Sequence, residues 1–355
     1  MKRENKTSDS QEISKKKLQT ALEIVKPGLA NKDIIEQSTS FAFLNGCVIT
    51  YNDEISISHP VEGLNLTGAV KADKLYQLLA KLKSDEITLV IGKNEIGEEN
   101  EIILTCGKSK AGLTLQAEIK LPLDEELSHD EKWKKIPDTF IKLLSFAKES
   151  SSRDMSQPKL TCVNITKEGR IEASDNFRIV RCELGCKMPT KTFLLPSSSA
   201  STVIKINPVE VAEGRGWVHF RNDLKTVISC RILEEKYADI SPHLIMEKDS
   251  LPIIFPVAIS EILDRASIFA KRDHVLDESV TITLMDKVLK IRGDSETGWF
   301  EEEVPFRYKG DPLTFYITPY LLKGILSETL NGILSEDKLK FEGENWVYVT
   351  ALKSK

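Results

Sequence analysis

Four stretches of the chain place apolar residues with the 3.6-residue period of an amphipathic helix. They are residues 72–83, 137–150, 256–272 and 318–328. In the first stretch the leucines fall at i, i+3, i+4 and i+7 along one stripe: Leu75, Leu78, Leu79 and Leu82. Lys74 and Lys81 fall on the opposite side. The pattern predicts four helices that each present a basic outer edge.

Two more helices and many short strands complete the pattern. One helix begins near Ser14 and is ended by Pro27, and another spans residues 196–206. Between the helices, runs such as residues 40–51 alternate apolar and polar positions and are separated by Gly or Asn. The order helix, strands, helix, strands occurs three times, in units of about 110–120 residues. The sequence therefore predicts an α+β fold with antiparallel sheets and internal repetition.

Charged segments between the units set the expected domain boundaries. Residues 124–135 are rich in charge and lack an apolar period, and residues 243–252 form a second break. We expect a flexible tail followed by three similar domains, in the ranges 1–13, 14–130, 131–248 and 249–355.

Composition indicates a globular protein of the cytoplasm. The chain is 41% hydrophobic and 29% charged, and no apolar run approaches the roughly 18 residues of a membrane span. Its N-terminus has no apolar segment of the secretory type. The six cysteines are scattered without a CxxC pair, which favours reduced, buried thiols.

The charge pattern points to a polyanionic partner. A net charge of −5 argues against a protein that coats DNA with its whole surface, yet it allows a locally basic face. Lysines on one exposed helix edge are often no more than a solvated surface. Their recurrence in several units favours a common target, and a phosphate backbone fits best.

The sequence gives little support for a catalytic site or a metal site. Residues 107–109 read Gly-Lys-Ser, but a phosphate-binding loop needs a glycine where Ile102 stands. The histidines lie far apart in sequence: His59, His129, His219, His243 and His274. Glu301, Glu302 and Glu303 would alternate in direction along a strand and could not converge on one cation. We expect no enzymatic activity, no cofactor and no metal.

Five segments in order resemble the bacterial DNA polymerase III beta subunit, the sliding clamp. They are residues 107–115 (GKSKAGLTL), 173–184 (ASDNFRIVRCEL), 235–244 (EKYADISPHL), 264–270 (DRASIFA) and 346–353 (WVYVTALK). Each motif alone is weak, whereas their order and spacing together are specific. Similarity between the motifs is low, which is compatible with a divergent, virus-encoded clamp.

The resemblance implies a clamp fold and a processivity function. Each of three domains would hold two helix-plus-sheet repeats, and two protomers would close head to tail into a ring, with helices lining the hole and sheets outside. Such a ring encircles duplex DNA and tethers the replicative polymerase by topology. Lysine and arginine contacts without base readout would attract the DNA. The residues expected to do so are Lys32, Lys74, Lys81, Lys83, Lys142, Lys148, Arg153, Arg265 and Lys323.

The resemblance also implies a dimer interface and a partner pocket. Basic and acidic edge strands would face each other, flanked by an apolar pair: Lys108, Lys110, Glu301, Glu302, Glu303, Ile268 and Phe269. The polymerase and the clamp loader would insert short apolar peptides into a pocket formed by Leu160, Ser174, Asn176, Phe177, Arg178, Ile179, Ala238, Val349 and Leu352. Asn176 stands where the family has glycine, Phe177 where it has histidine and Ala238 where it has proline, so the pocket shape should differ.

Three alternatives remain open at this point. The chain could keep the clamp fold as a monomeric DNA-binding or regulatory protein that is not loaded as a ring. It could act on nucleotides through residues 107–109, against which the missing glycine argues. It could also belong to the two-domain, trimeric clamps, although three repeat units favour the dimer.

Overall fold

A computed structural model describes residues 10–92, 100–123, 132–273 and 277–352. Most of the expected tail, most of the segment 124–135, His129 and His274 lie outside the described residues. Residues 11–13, assigned to the tail from the sequence, form a strand together with Ser14 instead. No helix within these ranges is long and apolar enough to cross a membrane.

The chain repeats one module, a short strand followed by a helix and three strands. The first is β1 (Gln11–Ser14), α1 (Lys15–Val25), β2 (Ser40–Leu44), β3 (Cys47–Tyr51) and β4 (Ile55–Pro60). The second is β5 (Gly68–Lys71), α2 (Ala72–Lys81), β6 (Glu86–Gly92), β7 (Glu101–Cys106) and β8 (Ser109–Thr114). The third is β9 (Lys134–Lys135), α3 (Phe140–Lys148), β10 (Cys162–Ile165), β11 (Arg170–Ser174) and β12 (Arg178–Glu183).

Three further modules follow in the second half of the chain. The fourth is β13 (Phe193–Pro196), α4 (Ser197–Ile206), β14 (Glu210–Glu213), β15 (Trp217–Arg221) and β16 (Val227–Arg231). The fifth is β17 (Leu251–Ile254), α5 (Ile259–Ala270), β18 (Val280–Met285), β19 (Val288–Ser295) and β20 (Gly298–Pro305). The sixth is β21 (Leu313–Ile317), α6 (Pro319–Leu326), β22 (Asn331–Leu334), β23 (Lys338–Glu342) and β24 (Trp346–Ala351). Short 3-10 helices lie at Lys26–Gly28, Pro158–Thr161 and Ser241–Leu244.

The modules assemble into two compact units. The first comprises Met1–Ile141 and Pro189–Glu234, and the second comprises Lys142–Met188 and Glu235–Lys355. The middle expected domain, residues 131–248, is thus divided between the two units. The three-domain division stays a prediction.

In the first unit the strand that opens a module pairs with the neighbouring module. One sheet has the order β5-β2-β3-β4-β16-β15-β14-β9 and the other has the order β1-β6-β7-β8. All pairs are antiparallel; Phe41 of β2 lies opposite Val70 of β5, and Ile13 of β1 lies opposite Ile87 of β6. Each module therefore depends on a neighbour to complete its sheet.

The second unit repeats this exchange. β17 pairs with β22, and β21 pairs with β18. The strands of the larger sheet that belong to this unit run β10-β11-β12-β24-β23-β22-β17, and the smaller sheet has the order β20-β19-β18-β21. Strand β20 here and β8 in the first unit are therefore edge strands within the described part of the chain.

The predicted helices are confirmed, and their apolar stripes face the sheets. Leu75 and Leu79 of α2 are buried, as are Leu18, Ala21, Leu22 and Val25 of α1. The β2–β3 turn follows the sequence signal, because Asn45 and Gly46 adopt φ values of 51° and 74°, as a two-residue hairpin turn requires. The sequence did not indicate the short strand that opens each module. These strands adopt regular structure only by pairing with a strand of another module.

Gly293 of β19 allows α5 to pack closely on its sheet. A Cβ atom at this position would lie 2.2 Å from the carbonyl oxygen of Ala266. Gly324 of α6 is exposed, and a Cβ atom there would contact nothing within 4 Å. One glycine is thus required by packing and the other is not.

We predict that Gly293→Ala lowers the free energy of unfolding by about 1–3 kcal/mol, because helix and sheet must move apart. Urea unfolding followed by circular dichroism measures the change. Gly324→Ala is the matched control and should be neutral or raise stability by about 0.5–1 kcal/mol. Equal effects of the two substitutions would contradict the close-packing argument.

Candidate functional site

The expected partner pocket lies at the junction between β12 and β24, within the second unit. These strands pair antiparallel, with Ile179 opposite Val349. The N–H of Ala351 donates to the carbonyl oxygen of Phe177 over 2.8 Å and extends the pairing beyond β12. Since Ser174 of β11 lies opposite Ile179, three of the expected residues form one row across the sheet. The junction therefore brings together segments far apart in sequence.

The turn between β11 and β12 is fixed by a carboxylate. Oδ1 of Asp175 accepts the backbone N–H groups of Phe177 at 3.2 Å and Arg178 at 3.1 Å. Asn176 adopts φ 73°, in the left-handed region that asparagine tolerates better than most residues. The departure from the family glycine at position 176 is thus compatible with a tight turn.

Arg178 supports this turn from inside the unit. Its side chain is 7% exposed and its Nε donates to Asp175 Oδ2 over 3.0 Å. The guanidinium also donates to the carbonyl oxygen of Glu149 and lies over the ring of Tyr320, 5.0 Å from its centroid. These contacts give Arg178 a role in positioning the turn, and its expected place in the pocket stays a prediction. The sequence did not reveal Tyr320 as its partner.

The remaining pocket residues differ in exposure. Phe177 and Ile179 are half-buried, and Asn176 and Ala238 are exposed. Ser174, Val349 and Leu352 are buried, so they can shape the floor more readily than contact a ligand. Leu160 is half-buried and belongs to the 3-10 helix Pro158–Thr161.

Tyr237, next to Ala238, was missed by the sequence reasoning. It is buried, and this burial raises the pKa of its phenol. Its segment is held by Ser241, whose Oγ accepts a hydrogen bond from Arg181 over 2.9 Å. Arg181 also donates to Glu172 over 2.7 Å. An ionic pair on β11 and β12 therefore anchors the segment that carries Tyr237 and Ala238.

The cysteines near this junction are structural. Burial raises the pKa of Cys162 to about 11 and that of Cys182 to about 12, so both thiols are protonated at neutral pH. Cys106 and Cys230 are also buried, whereas Cys186 is exposed. All six thiols are free, and Cys186 departs from the expected burial.

The expected DNA-binding residues fall into two groups. Six are exposed and form no ion pair within the described ranges: Lys32, Lys74, Lys81, Lys83, Lys142 and Arg153. The other three have acidic partners in the same chain. Lys148 contacts Glu149 at 2.7 Å, Arg265 contacts Glu302 at 2.8 Å, and Lys323 pairs with Asp264. Only the first group has a charge that is fully available to a ligand.

Lys108 and Lys110 lie at the end of the β7–β8 hairpin. Both are exposed, and Gly107 before them has φ 56°, the conformation of a tight turn. Cys106 pairs with Ser109 across the turn. The Gly-Lys-Ser segment is thus a hairpin turn, whose backbone differs from a phosphate-binding loop.

The expected acidic partners lie on β20 and already have cations beside them. Lys290 contacts Glu301 at 3.2 Å and Glu303 at 3.4 Å. Hydrogen bonding to Lys290 lowers the pKa of Glu301, and the same bond raises the pKa of Lys290. Arg265 forms two hydrogen bonds with Glu302, each 2.9 Å. Arg265, which was expected to bind DNA, and Glu302, which was expected at the dimer interface, therefore pair with each other.

Apolar residues beside β20 are unusually exposed. Ile268 is 70% and Trp299 is 59% exposed, while Phe269 is half-buried. Trp299 was missed by the sequence reasoning, although its position before three glutamates on an edge strand could have indicated it. Within the described residues, no group of three His, Cys, Asp or Glu side chains is arranged to hold a metal.

We predict different effects for two neighbouring residues of β12. Arg178→Met should lower the free energy of unfolding by about 3–5 kcal/mol, because it leaves Asp175 buried without its cation. Ile179→Ala, at a half-buried position, should lower it by less than about 1.5 kcal/mol. Urea unfolding of both variants measures the difference. A mild effect of Arg178→Met would refute its structural role.

No family model matches the sequence, but solved structures match its fold. The DNA polymerase III subunit beta from Pseudomonas aeruginosa superposes with a TM-score of 0.83 at 17% identity, covering 98% of this chain and 100% of that one. The sliding clamp from Bacillus subtilis gives 0.81 at 16% identity with the same coverage. The beta chain from Streptococcus pneumoniae gives 0.80 at 18% identity, again over 98% and 100%. The chain therefore has the fold of the bacterial DNA polymerase III beta subunit, the DNA sliding clamp, at low sequence identity.

Proposed function

We propose that this protein is a DNA polymerase processivity factor, a non-catalytic sliding clamp that encircles duplex DNA. The observation that carries the proposal is the similarity to clamp structures over 98% of this chain and the full length of the Pseudomonas aeruginosa subunit. A similarity this complete includes all six modules. An isolated clamp-like domain would leave part of either chain unmatched.

Ring closure by two copies is supported by the two edge strands. β8 carries exposed lysine and β20 carries glutamates. An edge strand presents unpaired N–H and C=O groups that another strand can satisfy. Opposite charge on the two edges favours a head-to-tail contact between protomers over contact of like edges.

DNA contact would come from the six unpaired cations. Such side chains attract the phosphate backbone without reading sequence, and the attraction weakens with salt. The acidic net charge of −5 keeps this attraction local. A ring that holds DNA by topology needs no tight contact, so a modest number of cations suffices.

The β12–β24 junction would receive partner peptides. Its half-buried Phe177 and Ile179 offer apolar surface, and its floor of Ser174 and Val349 is held by sheet hydrogen bonds. The chemistry suits a short apolar segment of a polymerase or clamp loader. Ala238 and Asn176 are exposed at the rim of this pocket and differ from the family residues at these positions. The preferred peptide should therefore differ from that of other clamps.

One observation favours a second candidate, a monomeric DNA-binding or regulatory protein with the clamp fold. The glutamates of β20 are already paired with Lys290, Arg292 and Arg265 of the same chain. These pairs lessen the charge available to a partner edge. The mass in solution separates the candidates, since a ring of two chains has twice the 39.9 kDa of one.

We predict that the protein, loaded on nicked circular plasmid by a clamp loader, is retained until the DNA is cut. Gel filtration before and after a single restriction cut measures retention. Cutting should release most of the protein, because a topological link needs closed DNA. Equal retention on circular and linear DNA would mean binding by affinity alone, and loss from both would mean no ring.

We predict that changing the six unpaired cations to glutamine weakens binding to a short duplex and flattens its salt dependence. Each lost phosphate contact should reduce the slope of log K against log salt by about 0.9. The control removes six exposed charges elsewhere: Lys187, Lys191, Lys236, Lys248, Arg307 and Lys309. Fluorescence anisotropy at several salt concentrations compares the two variants. An equal change in the control would mean that the weaker DNA binding results from the altered net charge alone.

A further inference from the structure

The outer edge of β20 is flanked by apolar side chains on both faces. Gly298, Phe300 and Glu302 face α5, since Glu302 pairs with Arg265 and Phe269 lies 3.4 Å from the Cβ position of Gly298. Trp299, Glu301 and Glu303 alternate with them and face the opposite side. There the guanidinium of Arg292 lies 4.7 Å from the centroid of the Trp299 ring. A strand added to this edge would lie between Ile268 on one face and Trp299 on the other.

Along the outer edge of β8, the sizes of the side chains complement those along β20. Ala111 and Leu113 lie opposite Leu104 and Ile102, which are buried. Lys110 and Gly112 therefore occupy the other face, opposite Thr105 and Ile103. That face combines a cation with a glycine, which has no side chain of its own.

Alternation along the strands restricts how the two edges can pair. If they pair antiparallel, Lys110 opposite Glu301 puts Gly112 opposite Trp299 and brings Lys108 beside Glu303. The inner face then sets Ala111 against Phe300 and Leu113 against Gly298. A small residue faces a large one at three positions of this register, Gly112 with Trp299, Ala111 with Phe300 and Gly298 with Leu113, and the other two named positions pair lysine with glutamate.

Other registers lose this fit. A shift of two residues in one direction puts Gly112 opposite Glu301 and Thr114 opposite Trp299. The opposite shift puts Lys110 opposite Trp299 and leaves Gly112 against Thr297. A shift of one residue moves the lysines to the wrong face of the sheet.

We infer that Trp299 is the apolar anchor of the contact between two copies of this chain, seated over Gly112 of the partner subunit in the register that sets Lys110 against Glu301. The inference rests on the proposed ring and specifies its closing contact. In this position over Gly112, the indole extends toward β7, where the half-buried Ile103 lies opposite Gly112. A large aromatic side chain that fills a gap over glycine is a favourable cross-strand pair.

The one side chain in the way can move. Oε1 of Glu101 lies 2.0 Å from the Cβ position of Gly112, so its carboxylate covers the gap in the single chain. Glu101 forms no ion pair within the described residues, and its flexible end can turn aside. Lys290 and Arg292 balance part of the charge of Asp294, Glu301 and Glu303, leaving one negative charge in excess for the lysines of the other edge.

Cysteine cross-linking tests the register. In a background with Cys47→Ser and Cys186→Ser, the pair Gly112→Cys with Trp299→Cys should form a covalent dimer under mild oxidation. Directly opposed residues have Cα atoms about 4.5–5.5 Å apart, within the range of a disulfide. The controls, Thr114→Cys with Trp299→Cys and Gly112→Cys with Glu301→Cys, are shifted by two residues and should cross-link at least tenfold more slowly.

Sedimentation of variants without added cysteine tests the anchor. Trp299→Ala should raise the dimer dissociation constant at least about 30-fold, as expected for a central aromatic contact. Ile254→Ala, at an apolar residue that is also largely exposed (68%), should leave it unchanged. The double variant Ile268→Ala with Phe269→Ala should be monomeric.

The outcomes separate this inference from the proposed function. The inference is overturned, and the ring proposal stands, if the wild-type protein is a dimer but a shifted cysteine pair cross-links fastest. The same holds if Trp299→Ala leaves the dimer dissociation constant unchanged. A wild-type protein that stays monomeric at all concentrations overturns both. Fast cross-linking at positions 112 and 299 together with loss of dimer in Trp299→Ala supports the register.

Discussion

The fold depends on the exchange of strands between modules. Three consecutive strands leave an open edge and an apolar face, and in this chain the helix covers the face while a strand from another module closes the edge. The exchanged strands are as short as the two residues of β9, and they gain regular structure only from their partners. Folding of one module therefore requires another, because an isolated module lacks a strand of its own sheet. Within the described residues, β8 and β20 each end a sheet without a partner strand on the outer side, so strand exchange inside one chain does not close these edges.

Charge has two separate roles in the molecule. Buried or partly covered pairs such as Arg178 with Asp175 hold backbone turns in place, and their geometry is specific. Removing one partner is costly because the other stays in a low-dielectric environment. Exposed cations such as Lys74 and Lys142 have no partner in the described chain, and each remains solvated. The side chains that can act on a polyanion are thus those that do little for stability.

The sequence allowed the repeat, the helices and most long strands to be predicted, because their apolar period is local information. It did not allow the strands that open each module to be predicted, since four residues such as β13 (Phe193–Pro196) carry too little pattern without their neighbours. The site was predictable in part. Resemblance selected Ile179 and Val349, which the sheet brings together, but Arg178 is buried and Arg265 pairs with Glu302. Such pairings depend on tertiary structure and leave no trace in the spacing of residues.

The free edges of β8 and β20 are different surfaces, and this has a consequence for the proposed assembly. A contact between unlike patches is heterologous, so each added copy again exposes one free patch of each kind. Such growth stops only where the rotation between successive copies returns the last patch to the first; otherwise it continues as a filament. Closure with two copies therefore requires a half-turn between them. If the ring closes as proposed, substitutions that alter the angle at this contact, with its chemistry preserved, would convert the closed ring into a fibre.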